Sequence, residues 1–175
     1  MKFIIHNGQV MPLDHLTSFT FDCRCPDIKR DLSIRVQFAN HHCYTKKYDP
    51  KVHKPQQIII TEAEDRHRVF CPDRYKLSHQ LPKLITELPT KRVHQTSRSR
   101  NYVYVVSLEV GGNPYEIYFM LQRAAPADAA DLRLTVESAY CNDGPPNLRK
   151  RPNAIRFAVL AHKVLTNQRV HFAAR

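Results

Sequence analysis

The stretch that decides the fold is residues 115–123, which read YEIYFMLQR. Large apolar or aromatic residues fill every odd position of this stretch up to Leu121, and that period of two is typical of a strand with one buried face. Two similar stretches flank it. Residues 101–110 precede it and are separated from it by a Gly-Gly-Asn turn, and residues 132–140 follow it. Three such strands in succession predict an antiparallel meander.

Helical spacing occurs on both sides of the meander. One predicted helix carries leucines at spacings of four, three and four, namely Leu77, Leu81, Leu84 and Leu88. Pro82 either kinks this helix or begins a second short one. A final helix is predicted from the N-cap Asn153 to about Leu165.

The N-terminal part has the pattern of strands. Residues 2–13 predict a hairpin around Asn7-Gly8, the preferred two-residue turn. Residues 18–25, 31–38 and 57–62 predict further strands, and residues 39–55 predict a long loop.

The expected fold class is therefore α+β: an antiparallel β-meander sheet packed by two helices, with an N-terminal β-hairpin and strand extension. We expect a single domain over residues 1–175, comprising an N-terminal β segment (1–70) and a helix–meander–helix core (71–175).

The charge favours a polyanionic partner. Lys and Arg number 27 against 16 Asp and Glu, which gives a net charge of +11 with neutral His. Basic residues are segregated from acids, since residues 89–108 and 144–175 contain no acid at all. Segregated positive charge is typical of proteins that bind a phosphate backbone, and we expect nucleic acid, RNA in particular, as the partner.

The sequence predicts a cytoplasmic protein with no membrane partner. It contains no apolar run near 18 residues and no secretory signal at its start. Five cysteines, an odd number, argue against a disulfide framework. No oligomeric state is assigned.

The first candidate site is the loop of residues 41–49, which follows a predicted strand. Histidine suits acid–base catalysis near neutral pH, and His42 is the first choice for a general base. Tyr44, Lys46 and Lys47 are predicted to bind nucleic acid beside it. The alternatives are a metal-binding loop and a polar surface loop with two incidental histidines.

The second candidate is a basic strand start. Arg98 and Arg100 alternate, so in an extended chain they project to one face and suit a bidentate phosphate clamp. Tyr102 continues that face and is predicted to stack on a base. A solvated basic edge is the alternative.

Two further groups complete the predicted site. Ser138-Ala139-Tyr140 ends the third meander strand, where Tyr140 is a candidate hydrogen-bond donor to a phosphate. The other predicted contacts to nucleic acid come from the basic C-terminal part: Arg149, Lys150, Arg151, Arg156 and Lys163.

Cofactor motifs are not found. The sequence contains no phosphate-binding P-loop, no dinucleotide fingerprint, and no His-Glu-x-x-His motif. Cys23, Cys25, Cys43 and Cys71 leave a zinc site open, although their spacing is not that of paired zinc ligands. We predict no cofactor and no bound metal.

The order of a helix, a basic strand, two antiparallel strands and a terminal Ser-x-Tyr resembles the compact ribonucleases of the RelE-like and barnase-like toxin and phage class. The chain also resembles uncharacterised bacterial proteins of similar length. The ribonuclease resemblance covers about residues 73–140 and implies a metal-independent endoribonuclease with a possible protein inhibitor as partner.

In the implied mechanism a histidine deprotonates a ribose 2′-OH, with His42 as first choice and His79 as second. Arg98 and Arg100 would stabilise the phosphorane, and Tyr140 would protonate the leaving oxygen. The alternative is a non-catalytic module that binds nucleic acid or a ribonucleoprotein.

Overall fold

A computed structural model describes residues 2–25, 28–39, 41–96, 103–110, 113–141 and 154–170. Twelve strands within these ranges are β1 (Phe3–His6), β2 (Gln9–Pro12), β3 (Phe19–Cys25), β4 (Arg30–Phe38), β5 (Thr45–Lys47), β6 (Ile58–Ala63), β7 (Arg66–Phe70), β8 (Arg92–Gln95), β9 (Val103–Val110), β10 (Asn113–Arg123), β11 (Leu132–Cys141) and β12 (Ala154–Arg156). The three α-helices described are α1 (Pro72–Ser78), α2 (Leu81–Thr86) and α3 (Phe157–Leu165). The predicted α+β class is confirmed.

The predicted meander forms the centre of a seven-stranded sheet, whose order is β12-β8-β9-β10-β11-β4-β3. Its neighbouring strands are antiparallel except for β4 and β11, which pair in parallel with Ile34 opposite Leu132 and Phe38 opposite Val136. The two strands are far apart in sequence, and this pairing joins the N-terminal and C-terminal parts of the chain in one sheet. It also brings the carboxyl ends of β4 and β11 to the same edge of that sheet.

One face of the sheet packs on helices. Phe119 of β10 contacts Phe157 of α3 at 6.0 Å between ring centroids, and Phe21 of β3 contacts the same ring at 6.4 Å. This packing explains the alternation in the sequence, because the side chains on the helix-covered face are removed from water. Burial of each large apolar side chain contributes about 1.5–3 kcal/mol to the stability of the fold. Leu81 and Ile85 of α2 are buried in the same core.

The N-terminal hairpin forms as predicted. Strands β1 and β2 pair antiparallel, and Asn7 and Gly8 have φ angles of 50° and 76°. Both lie in the left-handed region that a type I′ turn requires and that Asn and Gly tolerate best.

The leucine stripe forms two helices, which is one of the two predicted alternatives, because Pro82 lies in the first turn of α2, where a proline is best tolerated. Two other local predictions need correction. The final helix begins at Phe157, since Ala154–Arg156 instead pairs with β8 as strand β12. The predicted loop of residues 39–55 contains a 3-10 turn, His41–Cys43, and strand β5, which joins β7 and β6 in a three-stranded sheet.

Candidate functional site

Two histidines and a glutamate meet at the carboxyl edge of the large sheet. His41 Nε2 lies 2.7 Å from Glu62 Oε1, and His42 Nε2 lies 2.5 Å from the same oxygen. The two imidazole rings are 5.1 Å apart and almost perpendicular. Because an ionised carboxylate only accepts hydrogen bonds, both Nε2 atoms donate to Glu62.

The 3-10 turn positions the two histidines. It follows β4 directly, and its third residue, Cys43, is completely buried beneath β11. A backbone hydrogen bond between Ala39 N and Val136 O ties the start of this connection to β11 at 3.1 Å. The turn is therefore anchored to the sheet, while His41 and His42 remain partly exposed.

A β-bulge positions Glu62. In the β6–β7 pair, Thr61 lies opposite His67 and Ala63 lies opposite Arg66, so Glu62 is the extra residue. A bulge redirects the side chain of the extra residue, and such irregularities are common beside active sites. The Glu62 side chain is 22% exposed, so solvent reaches it.

Two arginines, Arg68 and Arg74, connect the 3-10 turn and strand β5 by hydrogen bonds. Arg68 donates to Thr45 Oγ1 at 2.7 Å, and its Nε lies 3.9 Å from Glu62 Oε1. Arg74 donates to the carbonyl oxygens of Thr45 and His42 at 2.8 and 3.3 Å. The Thr45 hydroxyl in turn donates to His41 O at 2.9 Å. Both guanidinium groups are therefore engaged with the residues of the turn and of β5.

Burial and hydrogen bonding determine the protonation of this cluster. Burial lowers the pKa of His42, although the Glu62 hydrogen bond raises it in part. Burial raises the pKa of Glu62, but the hydrogen bonds from His42 and His41 outweigh this effect, so its pKa is lowered overall. Near pH 7 we therefore assign a neutral His42 beside an ionised Glu62.

Two tyrosines and a buried carboxylate lie next to this cluster on the sheet. Tyr118 of β10 stacks on Tyr140 of β11, with ring centroids 5.5 Å apart and planes 16° from parallel. Glu116, only 1% exposed, accepts a hydrogen bond from Tyr118 Oη at 2.5 Å. Glu116 lies opposite Tyr140 in the strand register, so these side chains share the face turned away from α3.

Arg74 connects the two groups. Its Cζ lies 4.6 Å from the centroid of the Tyr140 ring, while its Nη1 contacts the His42 carbonyl. The arrangement is continuous from Glu62 through the histidines and Arg74 to Tyr140 and Tyr118. We define the His42–Tyr140 patch as His41, His42, Glu62, Arg68, Arg74, Glu116, Tyr118 and Tyr140.

A family comparison covers almost the whole chain. The model of the YjaZ family matches residues 3–165. The chain belongs to the YjaZ family. No curated protein and no solved structure matches it. The resemblance to RelE-like and barnase-like ribonucleases is therefore not supported by the comparisons, and the resemblance to a broad bacterial family without a stated activity is the one that holds.

The structure of this YjaZ-family chain brings together two of the five predicted catalytic residues. His42 and Tyr140 meet through Arg74, as described above. His79 belongs to another cluster, where its ring stacks on His15 at 3.8 Å. Arg98 and Arg100 lie outside the described residues.

The predicted nucleic-acid contacts are distributed over several places. Lys46 is half-buried and Lys47 is exposed on β5, beside the His42–Tyr140 patch, whereas Tyr44 packs against the core. Arg156 is exposed in β12, directly before α3 begins, and Lys163 is partly exposed on α3. Four predicted contacts lie outside the described residues: Tyr102, Arg149, Lys150 and Arg151.

The cysteines predicted as alternative zinc ligands are core residues. Cys23, Cys25, Cys43 and Cys71 are buried. Within the described ranges, only His41, His42 and Glu62 form a group of three side chains with metal-ligand atoms close together. In the same ranges, no helix has the length and apolar character to cross a membrane.

Sequence reasoning missed five members of the patch, namely Glu62, Arg68, Arg74, Glu116 and Tyr118. The signal for Glu116 was available, since it is the one acid within the alternating stretch of residues 115–123. Glu62 carried no such signal, because it stands among the neighbouring acids Glu64 and Asp65 and its bulge is a feature of strand pairing.

Proposed function

We propose that this protein binds single-stranded RNA at the His42–Tyr140 patch and along strand β5 beside it. The observation that carries the proposal is the convergence of His42 and Tyr140 on Arg74. These two residues come from distant parts of the sequence, and each was a separate candidate there, His42 as a general base and Tyr140 as a hydrogen-bond donor to a phosphate.

The charge beside the patch supports a phosphate backbone as partner. Lys47 lies directly opposite Arg68 in the β5–β7 pair, and Arg66 continues β7 as an exposed residue. In the part of the chain that the structure describes, no carboxylate forms an ion pair with Lys46, Lys47 or Arg66. By contrast, several arginines at the amino ends of β4 and β11 are paired with aspartates, as Arg30 is with Asp131 at 2.8 Å.

The aromatic groups supply the second part of the interaction. Stacking of a base on a protein ring contributes about 1–3 kcal/mol and tolerates any base, which suits recognition of single strands. Tyr118 and Tyr140 are partly exposed, so their stacked rings are the candidates for contact with a base. Arg74 already lies on the Tyr140 ring as a cation–π partner.

Binding is tested by fluorescence anisotropy of a labelled single-stranded RNA over a series of salt concentrations. Tyr140→Ala is expected to weaken binding about 10–100-fold through lost stacking. Lys46→Gln/Lys47→Gln is expected to lower the slope of log Kd against log salt by about 1.4, or 0.7 for each lost phosphate contact. The matched control is Lys83→Gln/Lys91→Gln, which removes two charges on and after α2 and should leave the slope unchanged. Binding that is unaffected by Tyr140→Ala, or absent at low salt, contradicts the proposal.

Cleavage of the bound RNA is a second candidate function, favoured by the His42–Glu62 pair. A carboxylate that orients an imidazole is the arrangement of a general base, and a neutral His42 is the protonation state that a base requires. His42 would then deprotonate the ribose 2′-OH, and Tyr140, whose ring Arg74 contacts, is the candidate acid. The test is incubation of labelled RNA with excess protein, where His42→Gln should abolish the formation of shorter products. RNA that stays intact with the wild-type protein leaves binding as the function.

A further inference from the structure

Three ligand atoms of the kinds that transition metals prefer converge at the carboxyl edge of the sheet. From the positions of His41 Nε2, His42 Nε2 and Glu62 Oε1 we infer a binding site for a divalent first-row transition-metal ion, with Zn²⁺ as its reference occupant. The inference stands apart from the proposed RNA binding, because it rests on these three side chains alone.

The three ligand atoms surround one possible ion position, which becomes available when each imidazole carries its proton on Nδ1 and offers the Nε2 lone pair. All three ligand atoms lie within 4.8 Å of one another, and the two nitrogen-to-oxygen distances are 2.7 and 2.5 Å. Ligands about 2.0–2.1 Å from a tetrahedral zinc ion are about 3.4 Å apart. To admit the ion, the Glu62 oxygen therefore has to move away from both nitrogens, which is a change of side-chain rotamer at a partly exposed residue.

The ligand set is specific for this class of metal. Imidazole and carboxylate together suit zinc and iron rather than calcium or magnesium, which prefer oxygen ligands only. Two histidines and one glutamate are also the protein ligands of a known type of catalytic zinc site, in which the remaining position is open to water or substrate. Partial exposure of all three side chains, at 19, 29 and 22%, leaves room for that position.

Neighbouring groups hold the ligands in place. Arg68 lies against Glu62, Arg74 holds the carbonyl of His42, and the Thr45 hydroxyl holds that of His41. These contacts fix the backbone of the turn and the position of the Glu62 carboxylate, and so limit the orientations that the three ligand side chains adopt.

Calorimetric titration of the metal-stripped full-length protein with Zn²⁺ tests the site. We expect one zinc ion per chain. Glu62→Gln, which keeps the size of the side chain, and His42→Gln should each weaken binding by at least about 100-fold, since they remove ligands rather than outer contacts. Circular dichroism of each variant establishes that it is folded.

Matched controls come from the same small sheet. Glu64→Gln removes an acid two residues from Glu62, and His67→Gln removes a histidine whose Nδ1 is occupied by Thr61 Oγ1 at 3.0 Å. Both should bind zinc as the wild type does, and so should Cys141→Ser, which removes the partly exposed thiol. Equal zinc affinity in wild type and Glu62→Gln, or loss of binding in Cys141→Ser alone, overturns the inference.

The result also separates the two candidate forms of RNA cleavage. In the metal-free form His42 Nε2 donates to Glu62, so Nδ1 is the atom that would act as the base, whereas in the zinc-bound form Nδ1 carries the proton and His42 cannot act as a base. If RNA is cleaved, a chelator should abolish cleavage by the zinc-bound protein and leave a metal-free mechanism unaffected. Failure to bind RNA leaves the metal site standing, because the titration contains no RNA.

Discussion

His15 is the residue whose environment departs most clearly from that of a surface histidine. Its Nε2 donates to the buried Ser78 Oγ at 2.7 Å, and the serine hydroxyl donates to Tyr75 O at 2.7 Å. Its ring stacks on that of His79. Burial and, to a smaller extent, the nearby His79 lower the pKa of His15 to about 4, although Asp14 offsets them in part.

This environment predicts a loss of stability in mild acid. The pKa of His15 is about 4 in the folded chain and about 6.5 in the unfolded chain, so the unfolded state binds the proton more readily. Stability is complete above pH 6.5 and falls as the pH drops from 6.5 toward 4. We expect a loss of about 1–2 kcal/mol after allowance for the partial exposure of the ring.

Urea unfolding of wild type and His15→Gln at several pH values measures this effect. The variant cannot titrate at this position, so its free energy of unfolding should change less between pH 7 and pH 4.5. An equal decline in both proteins would assign the acid sensitivity to other groups.

At the scale of elements, period-two alternation was sufficient to predict β3, β4, β10 and β11, and a high content of Tyr and Val predicted β9. Alternation appears in the sequence where every second side chain of a strand lies in the core. Strands β5, β7, β8 and β12 were not predicted. Both β5 and β12 have only three residues, too few to show a period, and β7 begins with Arg66, His67 and Arg68. These strands are held by backbone hydrogen bonds, which do not produce a pattern of polar and apolar side chains in the sequence.

Helix α3 is predicted to depend on one side chain. Phe157 is completely buried between Phe21 and Phe119. Phe157→Ala should lower the free energy of unfolding by about 3–5 kcal/mol, because it removes buried apolar area and leaves a cavity. Lys163→Ala, on the same helix but partly exposed, should change it by no more than about 0.5 kcal/mol. Denaturant unfolding compares the two, and similar effects would contradict the packing described.

For the whole molecule, the parallel pairing of β4 with β11 is the decisive feature. It places the turn His41–Cys43 and the end of β11 at one edge, and so brings His42 and Tyr140 together. At the opposite edge lie the amino ends of the same strands, where Asp131 binds Arg30 and accepts a hydrogen bond from Ser33 N at 3.0 Å. The described part of the sheet thus has acid–arginine pairs at one edge and the candidate site at the other.

This pairing predicts that residues 71–175 do not fold alone. Leu32, Ile34 and Val36 of β4 are completely buried in the core shared with β11. Without them, β11 becomes an exposed edge strand with an uncovered apolar face, which favours aggregation. Size-exclusion chromatography and circular dichroism of this fragment should detect aggregated or unfolded chains. A monomeric fragment that unfolds cooperatively would contradict the prediction.

The sequence by itself determined the local features of this protein: the alternating strands, the Asn-Gly hairpin, the segregated positive charge, and His42 and Tyr140 as residues of interest. These depend on side chains near one another in the chain, whose burial or turn chemistry is visible in the order of residues. Only the tertiary structure decided that β4 and β11 pair in parallel and that a bulge turns Glu62 toward the histidines. Strand pairing uses backbone groups that every residue carries, so the choice of partner is made by the packing of the whole core.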